Sequence, residues 1–195
     1  MKLELKHILI DRDSPTFIIA EIGVNHNGSL ELAKKLVDAA IDAGADAVKF
    51  QMFDTEELTT RQADLAEYQK KTKEKNQYDM LKKLELSSAE FIDLKKYCDK
   101  KNIIFLATPF DLKSVDFLND LDMYAFKVGS GDLTNYPLLK RIVETDKPII
   151  LSTGMSLISE IDQTIAYLRG LKENLQISIL HCTSSYPTPE QQINL

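Results

Sequence analysis

Cysteine is scarce in this chain: only Cys98 and Cys182 occur, far apart in sequence. Two distant thiols form no disulfide framework, and the expected compartment is a reducing cytoplasm. No apolar run approaches the ~20 residues that cross a bilayer. Met1 to Ile10 alternates charged and apolar residues, unlike a secretory signal peptide. Basic residues are in deficit, 24 Lys and Arg against 30 Asp and Glu, for a net charge of −6. A weakly acidic chain of this kind is not expected to bind nucleic acid or an anionic membrane. Low-complexity segments and long Pro/Gly/Ser linkers are absent as well. What remains is a soluble globular balance, 44% apolar and 28% charged over 195 residues. That length builds one domain with a sizeable core and falls short of two ordinary ones.

Short apolar runs alternate with helix-like segments. Phe17 to Ile22 is β-prone and ends in the turn-rich Asn25-His26-Asn27-Gly28. Ser29 reads as an N-cap, with Leu30, Ala33, Leu36, Val37, Ala40 and Ile41 at helical spacing and Gly44 as the stop. Further runs follow at Ala47–Phe53, Ile103–Thr108, Ala125–Val128, Pro148–Ser152 and Ile177–Cys182. Helices are expected over Lys113–Asn119, Tyr136–Thr145 and Leu157–Leu171. Nearly continuous apolar strands alternating with helices predict an α/β fold with a parallel sheet. The charged stretch Asp54 to Leu86 interrupts the spacing, either as a solvated helical excursion or as a lid over the strand ends. Met1 to Ile10 is expected to pair as strands, or to form a strand and turn, and to plug the bottom of a barrel.

Each apolar run ends in polar residues that a core would not select. They are Glu21; Lys49 and Gln51; Thr108; Lys127 with Ser130 and Asp132; Ser152 and Thr153; and His181, Thr183, Ser184 and Tyr186. In a (β/α)8 barrel, and equally in an open doubly wound sheet, ligands sit at the carboxyl ends of the strands. Lys49 and Gln51 lie two apart and so share a face of their strand. A lysine in an apolar strand is costly to bury unpaired, and Glu21 is its candidate partner. Lys49 and Lys127, with hydroxyls from Thr108, Ser130 and Ser152, are the chemistry of a phosphate or carboxylate site. Gly129-Ser130-Gly131 lets backbone N–H groups approach such an anion. His181 and Cys182 are adjacent, so they point to opposite faces of a strand and do not make a metal pair. His26 sits in a loop, where a backbone-bonded structural role competes with catalysis. Cys98 reads as a small hydrophobe in a helix.

Ala20 to Gly28 resembles the opening motif of the sialic acid synthase family. The resemblance continues through Ala47-Val48-Lys49-Phe50-Gln51, Ala107-Thr108-Pro109-Phe110, and Lys127 to Asp132 with Asn135-Tyr136-Pro137-Leu138. It ends with Leu151-Ser152-Thr153-Gly154-Met155, and with Leu180 to Thr183 and Tyr186-Pro187-Thr188-Pro189. These six ordered motifs cover the chain from about residue 14 onward.

The resemblance implies a (β/α)8 TIM barrel and a condensation of phosphoenolpyruvate with an open-chain N-acylated hexosamine, N-acetylmannosamine by default. The product is a sialic acid-type nonulosonate, and phosphate is released. It implies that Lys49, Thr108, Lys127, Ser130, Ser152 and Ser184 bind phosphoenolpyruvate. Gln51 and Tyr186 would contact the sugar, and Glu21 and Asp132 would be catalytic, Glu21 beside a metal-bound water. Asp132 stands where the family often has Glu, and Ser184 where it often has Asn. The cofactor implied is a divalent metal, typically Mn2+, acting as Lewis acid on the sugar aldehyde.

The family's metal-ligand histidines lie on the last two barrel strands, and an antifreeze-like domain follows the barrel. A complete barrel needs ~250 residues. Residues 1–195 are therefore expected to be about six βα units of the barrel, with 1–13 as an N-terminal cap. The metal ligands are expected beyond Leu195, and this chain alone is expected to be inactive. The parent is expected to be a homodimer. Two alternatives stand beside this one: a Schiff-base aldolase using Lys49 or Lys127, and a non-catalytic protein that binds a sugar or phosphate.

Overall fold

The computed structural model describes residues 2–65, 74–185 and 188–194. Its contacts group into two compact units, one of residues 17–121 and one of residues 1–16 with 122–195. The alternation read from the sequence is present in both.

The first unit runs β3 (Ile19–Gly23), α1 (Leu30–Asp42), β4 (Ala47–Met52), α2 (Thr55–Leu58), α3 (Gln77–Leu84), α4 (Ser88–Lys100), β5 (Ile104–Pro109) and α5 (Leu112–Asp120). Strands β3, β4 and β5 pair in parallel in that order. Ser29 caps α1 by accepting the Leu32 N–H, and Ala33, Val37 and Ala40 form its buried stripe. Gly44, at φ +79°, takes the chain out of the helix as expected of a left-handed C-terminal residue. A capping box between Ser87 and Glu90 starts α4. Phe91 on α4 meets Phe105 edge-on at 6.2 Å, and Phe105 stacks on Phe50 at 5.6 Å. Burying each such ring stabilises by about 1.5–3 kcal/mol. Phe50 and Phe105 therefore face the helices. Lys49 and Gln51, which flank Phe50, must face the other side of the sheet.

Part of the charged stretch from Asp54 to Leu86 is helical, as α2 and α3, and its residues 66–73 lie outside the described residues. The Glu85 carboxylate accepts from both the N–H and the hydroxyl of Thr55, which ties the end of α3 to the start of α2.

The second unit opens with an antiparallel hairpin, β1 (Leu3–Leu5) and β2 (Ile8–Ile10). It resumes with β6 (Phe126–Val128), a 3-10 turn (Ser130–Asp132), α6 (Tyr136–Val143), β7 (Ile149–Ser152), α7 (Ile158–Leu171), β8 (Ile177–Leu180) and a last 3-10 turn (Glu190–Gln192). Strands β6, β7 and β8 are parallel and in order. The hairpin is tied to the N-terminal side of β8, where the Glu4 N–H donates to the Gln176 side chain at 2.9 Å. All four residues of β7 are buried, which accounts for its uninterrupted apolar sequence.

Several boundaries differ from the sequence expectation by one or two residues, the end of β8 among them. Strand β8 ends at Leu180, not Cys182. The Thr153 hydroxyl takes the Leu180 carbonyl at 2.8 Å, and the His181 ring meets the Ile193 carbonyl at 2.6 Å. The Thr153 side chain thus takes a carbonyl that a longer ladder could use.

Candidate active site

In the first unit the strand register brings four polar residues onto one face. Glu21 pairs with Lys49, and Gln51 with Thr108. The Lys49 ammonium lies 2.6 Å from Glu21 Oε1, with its side chain 5% exposed against 40% for the glutamate. Burial pushes the Lys49 pKa down, and the charge of and hydrogen bond to Glu21 act against that shift. An ammonium has three donors, so one carboxylate does not exhaust it. Register shifts between Glu21 and Gly23, and Gly23 has φ +55°. A methyl group on Gly23 would lie 3.0 Å from Glu21 Oε1 and 3.6 Å from Gln51 Nε2. The missing side chain leaves room for the carboxylate and the amide to lie beside the backbone. Thr108 is buried at the end of β5.

In the second unit the Lys127 ammonium donates to Ser152 Oγ and, at 3.1 Å, to the Val128 carbonyl. Ser130 Oγ accepts the Gly154 N–H at 2.9 Å. Having accepted, that hydroxyl still has its own proton to donate. A methyl group on Gly154 would lie 2.9 Å from Ser130 Oγ and 3.0 Å from Ser184 Oγ. Two hydroxyls from distant parts of the chain thus converge over one bare glycine. Ser184 reaches this point although it is shorter than the asparagine common in the resembled family. Asp132, at the end of the same 3-10 turn, is half-buried. Burial raises its pKa, and the Asn135 amide, donating at 3.0 Å, lowers it.

The sequence-predicted residues therefore form two groups. Glu21, Lys49, Gln51 and Thr108 are together in one unit, and Lys127, Ser130, Asp132, Ser152 and Ser184 at the strand ends of the other. Tyr186 lies outside the described residues. Three contributors were not singled out from sequence: Gly23, Gly154 and Asn135. Gly154 follows two hydroxyl residues at a strand end, and Asn135 stands three residues after Asp132. Those spacings were the available signals.

His26 is 1% exposed, and its Nδ1 accepts the Gly28 N–H at 3.1 Å. Its ring lies 6.2 Å from that of Phe50, on the helix-facing side, away from Lys49. Burial lowers its pKa, while Glu90 and the Gly23 backbone oppose the shift. Cys98 is buried, with its thiol pushed up to about 12 by burial, which makes it inert. An open cavity of the second unit is lined by Glu4, Lys6, His7, Tyr124, Lys147 and Gln176 among others, at the N-terminal strand ends. It contains none of the residues above. Among the described residues no group of three or more His, Cys, Asp or Glu could hold a metal ion. Also among them, no helix is long and apolar enough to cross a membrane.

A model of the NeuB family matches residues 36–195. The chain is 48% identical over 184 residues to the N,N'-diacetyllegionaminic acid synthase of Campylobacter jejuni, covering 92% of this chain and 55% of that protein. It is 36% identical to the human N-acetylneuraminate-9-phosphate synthase, over 93% of this chain and 50% of that one. The chain thus spans about half the length of these curated relatives. The crystal structure of the N-acetylneuraminic acid (sialic acid) synthetase of Leptospira borgpetersenii superposes with a TM-score of 0.86 at 34% identity, covering 100% of this chain and 63% of that one. Matched over most of its length by the family model and along its whole length by a synthetase structure, the chain belongs to the NeuB family.

Proposed function

We propose that the chain binds phosphoenolpyruvate and serves its condensation with an N-acylated hexosamine, forming a sialic acid-type nonulosonate and releasing phosphate. The observation that supports this most is the cluster at the ends of β6 and β7. There the hydroxyls of Ser130 and Ser184 flank Gly154, and Lys127 is bonded to Ser152. A cation, several hydroxyl donors and a glycine that admits close approach suit a phosphoryl group. Lys49 and Thr108 are also proposed as phosphoenolpyruvate ligands, and Gln51 and Tyr186 as sugar contacts.

In the reaction, C3 of phosphoenolpyruvate forms a bond to the aldehyde carbon, and the aldehyde oxygen takes a proton. Water adds to C2 and gives up a proton, and the C2–O bond to phosphate breaks. Asp132, which burial inclines to hold a proton, suits donation. Glu21, half-exposed and 2.6 Å from the Lys49 ammonium, suits acceptance. The lysines neutralise charge on the departing phosphate. The described residues do not by themselves fit a divalent metal. The metal's ligands are proposed to lie beyond Leu195, and this chain alone is proposed to be inactive. Metal-dependent phosphate release by this polypeptide, given phosphoenolpyruvate and N-acetylmannosamine, would overturn that part.

N-acetylmannosamine is the first acceptor to test. A diacetamido-trideoxyhexose is the second, because identity is higher to the Campylobacter jejuni and Legionella pneumophila legionaminic acid synthases, 48% and 44%, than to the human neuraminate-phosphate synthase, 36%. The test of the reading itself is a 31P titration with phosphoenolpyruvate, whose resonance is expected to shift or broaden on binding. One observation favours a second reading: the lowered pKa of the buried Lys49 would also suit an imine-forming amine. Borohydride with pyruvate separates the two, since only the imine route leaves a covalent adduct on lysine.

A further inference from the structure

Asn135 is bonded on both sides. Its Oδ1 accepts the Leu138 N–H at 3.4 Å, capping α6, and its Nδ2 donates to Asp132 Oδ1 at 3.0 Å. Its backbone N–H also donates to the Asp132 carbonyl at 3.0 Å. These partners fix the orientation of the amide. Turned over, it would set its NH2 against the Leu138 N–H and its oxygen against a carboxylate. The turn is pinned a second time, from α7, where the buried Thr164 hydroxyl donates to the Leu133 carbonyl at 3.0 Å. Gly154, whose N–H donates to Ser130, and Met155, whose Cε would lie 3.9 Å from a methyl group on Gly131, are further neighbours of the turn. Neither Thr164 nor Met155 is charged, and burial and the Asn135 amide are the influences on the Asp132 carboxyl.

We propose that Asn135 is a positioning residue for proton transfer: it holds Oδ1 of Asp132 and leaves Oδ2 as the oxygen that exchanges a proton with substrate. This rests on the catalytic role proposed for Asp132. The same turn carries Ser130, so the hold on Asp132 also sets its place relative to the hydroxyl that faces Gly154.

The test is a 13C titration of the Asp132 carboxyl in this chain, assigned by its loss in Asp132→Asn. Wild type is compared with Asn135→Ser and Asn135→Asp. Both replacements are good N-caps, so α6 and the melting temperature are expected to hold. Asn135→Ser replaces the amide donor to Asp132 with a shorter hydroxyl and is expected to raise the midpoint. Asn135→Asp is expected to raise it further, by about one pH unit or more, with the pair titrating as coupled groups. An unmoved midpoint in both variants overturns the proposal, as does a shift seen only in proportion to lost melting temperature. The titration is then repeated with saturating phosphoenolpyruvate, whose negative charge is expected to raise the midpoint again. If phosphoenolpyruvate binds, by its own 31P signal, and leaves Asp132 unmoved, Asp132 is not at the site and the inference fails while the binding reading stands. If phosphoenolpyruvate does not bind, the proposed function fails, and the inference with it.

Discussion

Burial of His26 imposes a pH dependence on folding. Its folded pKa lies below the ordinary 6.5, because burial disfavours the imidazolium more than Glu90 and the Gly23 backbone favour it. The unfolded chain therefore takes up the proton first. The stability contributed by a neutral His26 is complete above that ordinary value and is lost as pH falls below it. His26→Asn keeps an acceptor for the Gly28 N–H and removes the titration. Urea midpoints measured from about pH 7.5 to about pH 5 should fall less steeply in this variant than in wild type. Parallel slopes in the two proteins would show that His26 is not responsible. At Gly154, an added methyl meets two hydroxyl oxygens, which can rotate or shift. Gly154→Ala should cost the fold little, under about 1 kcal/mol, because no backbone blocks the methyl and its helix-free position is not left-handed. It should nevertheless weaken phosphoenolpyruvate binding about tenfold or more, or about 1.4 kcal/mol, by filling the space between Ser130 and Ser184. Equal losses of stability and affinity would make Gly154 a packing residue only.

Among the elements, the β3–α1 connection is the one most dependent on a single residue. Gly28 has φ +71°, and a methyl group there would sit 2.2 Å from the Lys83 carbonyl oxygen at the end of α3. That contact is backbone and cannot swing aside. Gly28→Ala should destabilise by about 2 kcal/mol or more, the left-handed strain of about 1–2 kcal/mol plus the clash. A denaturation curve that superposes on wild type would contradict this placement. Strands and helices were legible because apolar runs and the 3.6-residue stripe of Ala33, Val37 and Ala40 encode burial directly. Lys49 and Gln51 were legible as one face because strand alternation follows from sequence. The end of β8 was not, since it depends on Thr153 and Ile193 arriving at Leu180 and His181. Nor was the role of Gly154, whose neighbours Ser130 and Ser184 lie far from it along the chain. The dual bonding of Asn135 depends on the orientation of an amide, which no local sequence pattern dictates.

At the scale of the whole molecule, each compact unit carries a buried or half-buried lysine and a hydroxyl residue at its strand ends, Lys49 and Thr108 in one, Lys127 and Ser152 in the other. The proposed function requires both lysines for phosphoenolpyruvate binding. Calorimetric titration of phosphoenolpyruvate into wild type, Lys49→Met and Lys127→Met tests that requirement most directly. A charge-assisted hydrogen bond contributes about 1.5–3 kcal/mol, or roughly 10–100-fold in affinity. The account predicts one binding site in wild type and a loss of that size in each variant, with both variants still folded. Binding that survives either substitution unchanged, or no binding by wild type, would contradict it.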